Sequence, residues 1–191
     1  MFFSSVFVPE KPLETKRLLI RPLQRRDAPD IYDYSKDKEV ARYVLWHHQE
    51  DISEARAVIS HQRRLYRRGE PCSLGIVLKE TGTVIGTIGF MSFSDEHDTA
   101  EIGYSMGRKY WNKGLMTEAV GAMIAFGFDR LGLNRIEAMH EPENPASGRV
   151  MEKNGMRREG ILRQKLCNKG KYVDTVMYAI LRQDYEQRED D

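Results

Sequence analysis

A chain of 191 residues, 40% of them hydrophobic, can bury one sizeable core and is too short to favour two, so a single domain is expected. Thirty Lys and Arg against 29 Asp and Glu leave a formal charge of +1, interspersed along the chain, which gives no electrostatic reason to expect nucleic acid as a partner. Cys72 and Cys167 form no CxxC pair and suggest neither a disulfide framework nor a zinc site, so a reduced, cytoplasmic protein is expected.

The apolar opening, Met1 to Val8, lacks a basic lead and is interrupted by Pro9, Glu10 and Lys11. It is too short for export or for crossing a bilayer, so no membrane partner is expected, and residues 1–13 read as an extension packed on the domain or on a partner. Arg17-Leu18-Leu19-Ile20-Arg21, closed by Pro22, reads as a strand, and Asp27 offers the N-cap of a helix reaching about Ser35. After a loop holding Tyr43, Trp46, His47 and His48, apolar Ile52, Ala55, Val58, Ile59 and Leu65 recur at helical spacing until Gly69-Glu70-Pro71 stops them.

Strand-like runs follow at 73–78, 84–93 and 100–106, the first two joined by the hairpin turn Glu80-Thr81-Gly82. Such a series predicts an antiparallel meander. Residues 114–131 are helical in pattern, and 135–140 is again a strand. Asn144 and Pro145 open a helix to Gly155, and the last strands, 161–167 and 173–181, flank the turn Asn168-Lys169-Gly170. The predicted class is α/β with a mixed sheet.

One junction carries chemistry. A strand ends near Met106, a short loop with Gly107 and Gly114 follows, and a long helix starts at once. Unpaired N–H groups and the positive end of a helix dipole then converge, which suits a phosphate. There is no GxxxxGK[ST] and no GxGxxG. On pattern alone, an anion site and a plain structural turn both fit.

Trp111-Asn-Lys-Gly-Leu-Met-Thr-Glu-Ala119 resembles the acyl-CoA loop of the GNAT superfamily of N-acetyltransferases, with Trp111 in place of the usual Gln or Arg and Met116 where Gly or Ala is usual. Glu14-Thr-Lys-Arg17-Leu18 with Arg21-Pro22 resembles the first strand of the ribosomal-protein N-terminal acetyltransferase branch. In the same order, Asn144-Pro-Ala-Ser147 with Gly155-Met156, and Asp174 with Met177-Tyr178, resemble that branch's last helix and strand. The resemblance covers residues 14–183, leaving 184–191 as a polar tail. It implies a predominantly antiparallel sheet with helices on both faces.

It also implies acetyl-CoA as donor, coenzyme A as product, and an amine acceptor. Tyr104, Ser105 and Met106 would face pantetheine, beside a neighbouring strand that splays away. Trp111 belongs to the same loop, in which Asn112, Lys113, Gly114, Leu115, Met116 and Thr117 would offer N–H groups to the pyrophosphate. Asn144 and Ser147 would face the thiol end, Asn144 doubling as a helix cap. Glu101 would be the base, or else a surface residue paired with Lys or Arg. The Tyr acid common in the superfamily falls at Met151, so Ser147 becomes the acid, with Tyr104 and Tyr110 as substitutes. Trp46, His47 and His48 would form an acceptor wall. Adjacent histidines point apart and lack supporting ligands, so no metal is expected.

An α-amine near pKa 8 is roughly one-tenth neutral at pH 7, whereas lysine near 10.4 is almost wholly charged. The resembled branch's preference for a protein N-terminal α-amine, that of a ribosomal protein included, is thus chemically economical, while a carboxylate base or desolvation can also deprotonate lysine. A small-molecule amine, antibiotic or amino acid remains open, as does a catalytically weak CoA-binding regulatory module. Monomer and homodimer both fit.

Overall fold

The computed structural model describes residues 7–189; the opening residues 1–6 and the final two, 190 and 191, lie outside the described residues. Leu13–Glu14 (β1) and Leu18–Arg21 (β2) lead through a 3-10 turn, Arg25–Asp27, to helices Ala28–Ser35 (α1), Lys38–Ala41 (α2) and Ile52–Arg68 (α3). The meander follows as Ser73–Leu78 (β3), Val84–Ser94 (β4) and Thr99–Met106 (β5). A second 3-10 turn, Arg108–Tyr110, precedes helix Leu115–Asp129 (α4), strand Arg135–His140 (β6) and helix Pro145–Lys153 (α5). The hairpin Arg157–Asn168 (β7) and Lys171–Leu181 (β8) runs into helix Arg182–Glu189 (α6).

All of these strands join one sheet, in the order β1-β2-β3-β4-β5-β6-β8-β7. Every pairing is antiparallel except β5 with β6. Chain alternation divides the sheet's side chains between two cores. On one face Leu18, Ile20, Leu74, Ile76, Ile88, Phe90 and Ile102 pack with α4, whose Leu115, Ala119, Val120, Met123 and Ile124 are buried. Each fully buried Leu or Ile there contributes about 2 kcal/mol of apolar burial. On the other face Val77 and Val84 pack with Ile31 of α1 and Ala55 and Ile59 of α3.

Several expectations shift. Val58 is 39% exposed, because the buried stripe of α3 is narrow and centres on Ala55 and Ile59. Asp27 does not cap α1 with its side chain. Its carboxylate instead takes both Nη atoms of Arg21, at 2.7 and 3.0 Å, and the Gln24 N–H, since a buried carboxylate needs a charged partner. Phe7, from the predicted extension, lies in the main core with its ring 5.2 Å from Phe93. The supposed tail is helical from 182 to 189; Tyr185 stacks on Phe128 at 5.0 Å, and Arg182 donates to the carbonyls of Phe128 and Leu133.

Candidate active site

The site begins where β5 and β6 part. Their parallel pairing lasts three rungs, Thr99 with Arg135, Ala100 with Ile136 and Glu101 with Glu137, and then stops although both strands continue. At the same level β4 carries an extra residue, Met91, between the rungs Phe90–Ile102 and Ser92–Glu101. A bulge increases local twist and bends its strand, which turns β5 away from β6. Gly103 accommodates it: a Cβ there would lie 2.7 Å from Met91 Cγ.

Beyond the fork, the Gly107 N–H is bonded to the Ile85 carbonyl at 2.9 Å. Antiparallel alternation then commits Ser105 and Gly103 to β4 and turns the N–H and C=O of Tyr104 and Met106 toward the gap. Trp111 Nε1 donates to the Met106 carbonyl at 2.7 Å, so the Met106 N–H remains facing the opening.

The gap widens into a cleft of about 560 Å³ between β5, the junction after it, α2 with its following loop, and α5. Tyr104, Ser105, Met106, Trp111, Asn112, Gly114, Leu115, Met116, Thr117, Asn144 and Ser147 all line it. Asn112 and Gly114 are left-handed, at φ 59 and 72; Gly114 suits that conformation and is the N-cap of α4. Two left-handed residues beside a helix N-terminus make a turn of the kind that can gather N–H groups around an anion.

Lys113 does not line the cleft; its Nζ lies 5.9 Å from the Tyr110 ring centroid. Asn144 makes no side-chain cap bond to α5, leaving its amide available at the cleft wall.

Tyr104 Oη lies 2.9 Å from Ser147 Oγ and 3.1 Å from the Ser147 carbonyl. Burial pushes the Tyr104 phenol well up, against the opposing bond from Ser147, so it keeps its proton near neutrality. The Ser147 carbonyl can only accept the single Tyr104 proton, so the 2.9 Å contact is made by the Ser147 O–H donating to Tyr104 Oη. Met151 is fully buried in the core.

Glu101 is not part of the cleft wall. It lies at the fork, on the opposite sheet face from Tyr104, beside Glu137. No hydrogen bond or salt bridge is formed by its side chain among the described residues. Burial first, then the charge of Glu137, raises its pKa, with Lys165 opposing them. Glu137 is itself paired with Arg135 at 2.6 Å.

Tyr43 and Val44 line the cleft where Trp46, His47 and His48 were expected; Trp46 packs on the second core instead. Among the described residues, no three His, Cys, Asp or Glu side chains gather as a metal site. Nor is any helix there long and apolar enough to cross a membrane.

Sequence reasoning missed the outer support of this region. Lys169, in the β7–β8 turn at φ 48, donates to the carbonyls of Ala41 and Val44 at 2.9 and 2.6 Å and to Asn168 Oδ1. Asn168 in turn donates to Glu141. This clasp ties the hairpin to the loop after α2. Burial lowers the Lys169 pKa, and Glu141 opposes it. Lys169→Met is expected to destabilise by about 1–2 kcal/mol and to speed hydrogen exchange across 41–50, both measurable beside unfolding curves. The positive φ of Lys169 hints at a turn, but no local signal names its distant acceptors.

Residues 17–157 match the Acetyltransferase (GNAT) domain family. The chain is 39% identical to the uncharacterized N-acetyltransferase p20 of Bacillus licheniformis, covering 91% of this chain and 97% of that protein. It is 28% identical to the [ribosomal protein uS5]-alanine N-acetyltransferase of Escherichia coli, covering 93% and 94%. A Bacillus anthracis acetyltransferase of the GNAT family superposes with a TM-score of 0.80 at 32% identity, covering 90% and 99%.

Proposed function

Because the chain belongs to the GNAT family and is an acetyl-CoA-dependent N-acetyltransferase, we propose that its acceptor is a protein N-terminal α-amine, a ribosomal protein's among the candidates. One observation carries this reading: an unpaired carboxylate, Glu101, at the fork from which the β5 edge opens. The relative that acetylates a ribosomal-protein alanine supports the acceptor class.

The cleft fits the donor. Its left-handed turn and helix N-terminus suit a pyrophosphate, and the Tyr104 C=O and Met106 N–H on the open edge suit the amides of pantetheine. When bound, acetyl-CoA supplies the acetyl group as a thioester. Asn112, Gly114, Leu115, Met116 and Thr117 present N–H groups to its phosphates, Trp111 anchors the loop through the Met106 carbonyl, and Lys113 adds charge at the rim.

Glu101 takes the proton from the acceptor ammonium, directly or through one water, leaving a neutral amine to attack. The Tyr104 N–H, on the free edge nearest the fork, donates to the carbonyl oxygen as negative charge develops there. Ser147 Oγ turns its O–H from Tyr104 to the departing sulfur as the acid, and Asn144 orients that end through its amide. The raised pKa of Glu101 suits this task, since a stronger base is the better acceptor of an amine proton. An α-amine asks least of it, being about one-tenth neutral at pH 7.

Thiol release from acetyl-CoA, measured with peptides bearing free or blocked N-termini and with free amines, tests the assignment. Turnover is expected with free N-terminal peptides and not with their blocked forms, even when an internal lysine is present. Turnover confined to small amines would move the acceptor to that class. Tight CoA binding with no acceptor-dependent release would make the chain a regulatory module.

A further inference from the structure

The pyrophosphate turn is braced from outside by the first strand. The Lys113 carbonyl faces away from the cleft and accepts Arg17 Nη1 at 2.9 Å. The peptide after it is trans, as are all in the described chain, so its C=O and N–H point in opposite directions. Drawing the Lys113 carbonyl outward therefore sends the Gly114 N–H inward, and Gly114 lines the cleft.

Asn112 and Gly114 are both left-handed, a conformation that Asn and Gly adopt more readily than other residues. Trp111 Nε1 ties the start of the turn to the Met106 carbonyl, and the contact from Arg17 holds the Lys113–Gly114 peptide within it.

Arg17 is itself held in place. Its Nε donates to Glu118 Oε2 at 2.7 Å and its backbone N–H to Oε1 at 2.8 Å, while Thr15 Oγ1 donates to the same Oε1 at 2.5 Å. Burial pushes the Glu118 carboxyl up, and these bonds outweigh it, keeping the group ionised. Glu118 sits in the first turn of α4, its N–H bonded to the Gly114 carbonyl at 3.1 Å. A carboxylate, a guanidinium and a peptide thus form a closed loop around the turn.

We propose that Arg17, fixed by Glu118 and Thr15, is a positioning residue that aims the Gly114 N–H at the pyrophosphate of acetyl-CoA, an inference that rests on the acyl-CoA assignment of the cleft. An exposed ion pair contributes little stability by itself, and Arg17 is 43% exposed at its side chain. Its effect falls on the geometry of the donor site. Arg17 touches neither the fork nor the hydroxyl pair, so the acceptor and proton transfers do not depend on it directly.

Two donors separate this role from general loosening: acetyl-CoA, and S-acetylpantetheine, which lacks the pyrophosphate. Arg17→Ala is expected to raise the Kd for CoA by calorimetry, and the KM for acetyl-CoA, about tenfold. The KM values for S-acetylpantetheine and for the acceptor are expected to stay within about twofold. Arg17→Lys keeps a donor for the Lys113 carbonyl but loses the fork, and should recover part of the affinity. Wild-type CoA affinity in Arg17→Ala would overturn the role, and so would equal losses with both donors. A wild-type chain that fails to bind CoA would remove the acyl-CoA assignment and this role with it, an outcome read before any variant is made.

Discussion

Replacing Glu101 by Gln is expected to lower kcat/KM about 10²- to 10⁴-fold, the usual range for loss of a positioned general base. Gln keeps the shape of the side chain at the fork and removes only its basicity, so CoA affinity and thermal stability should change little. The pH profile gives the sharper check. Burial and the neighbouring Glu137 both raise the Glu101 pKa, while Lys165 across the sheet opposes them. The base form is the ionised one, so activity rises with pH through that raised value, and the acid limb of kcat/KM lies above the ordinary carboxylate range. Glu137→Gln removes a like charge and should move the limb to lower pH; Lys165→Met removes a compensating one and should move it higher. A limb that survives unchanged in Glu101→Gln would exclude Glu101 as the base.

The second large effect is steric. Gly86 of β4 lies opposite Met106, and a Cβ there would stand 2.3 Å from the Ser105 carbonyl oxygen and 2.9 Å from Met106 Cα. Both are backbone atoms of β5, so no side-chain rotation relieves the contact and the two strands must separate. Gly86→Ala should cost about 3 kcal/mol or more, about 10 °C in Tm for a chain of this size. The same displacement moves the Met106 N–H and the Tyr104 edge. A shift of about 1 Å at a catalytic donor costs roughly 10²-fold in rate, so the folded fraction should also turn over slowly. Gly160→Ala is the control: nothing lies within 4 Å of its added Cβ, and the change should stay within about 0.5 kcal/mol.

Local sequence rules carried most of the elements, because the features that mark them act over a few residues. The meander was visible in its apolar runs and the turn at Thr81-Gly82, and α4 in its broad apolar face ending near Gly132. The Asn168-Lys169-Gly170 turn was visible too, with Lys169 and Gly170 both at positive φ. Where the rules failed, a distant partner had changed the outcome. Asp27 looks like a helix cap until Arg21 claims its carboxylate. The polar stretch after 184 looks like a tail until Tyr185 finds Phe128.

The strand end, glycine turn and helix start after Met106 were legible in the sequence for a related reason. The phosphate cradle proposed there draws on a contiguous stretch whose N–H groups do not depend on side-chain identity, so neither Trp111 nor Met116 obscures it. Proton chemistry is different. The Tyr104–Ser147 hydroxyl pair joins residues 43 apart in sequence, the brace on Lys113 comes from Arg17, 96 residues away, and the state of Glu101 depends on Glu137 and Lys165. By itself the sequence determined the order of strands and helices and the place where a phosphate could sit, since backbone geometry follows from local residue types. Only the tertiary structure decided which side chains stand unpaired, paired or buried at the fork, because charge and hydrogen-bond environment are set by residues that meet through folding.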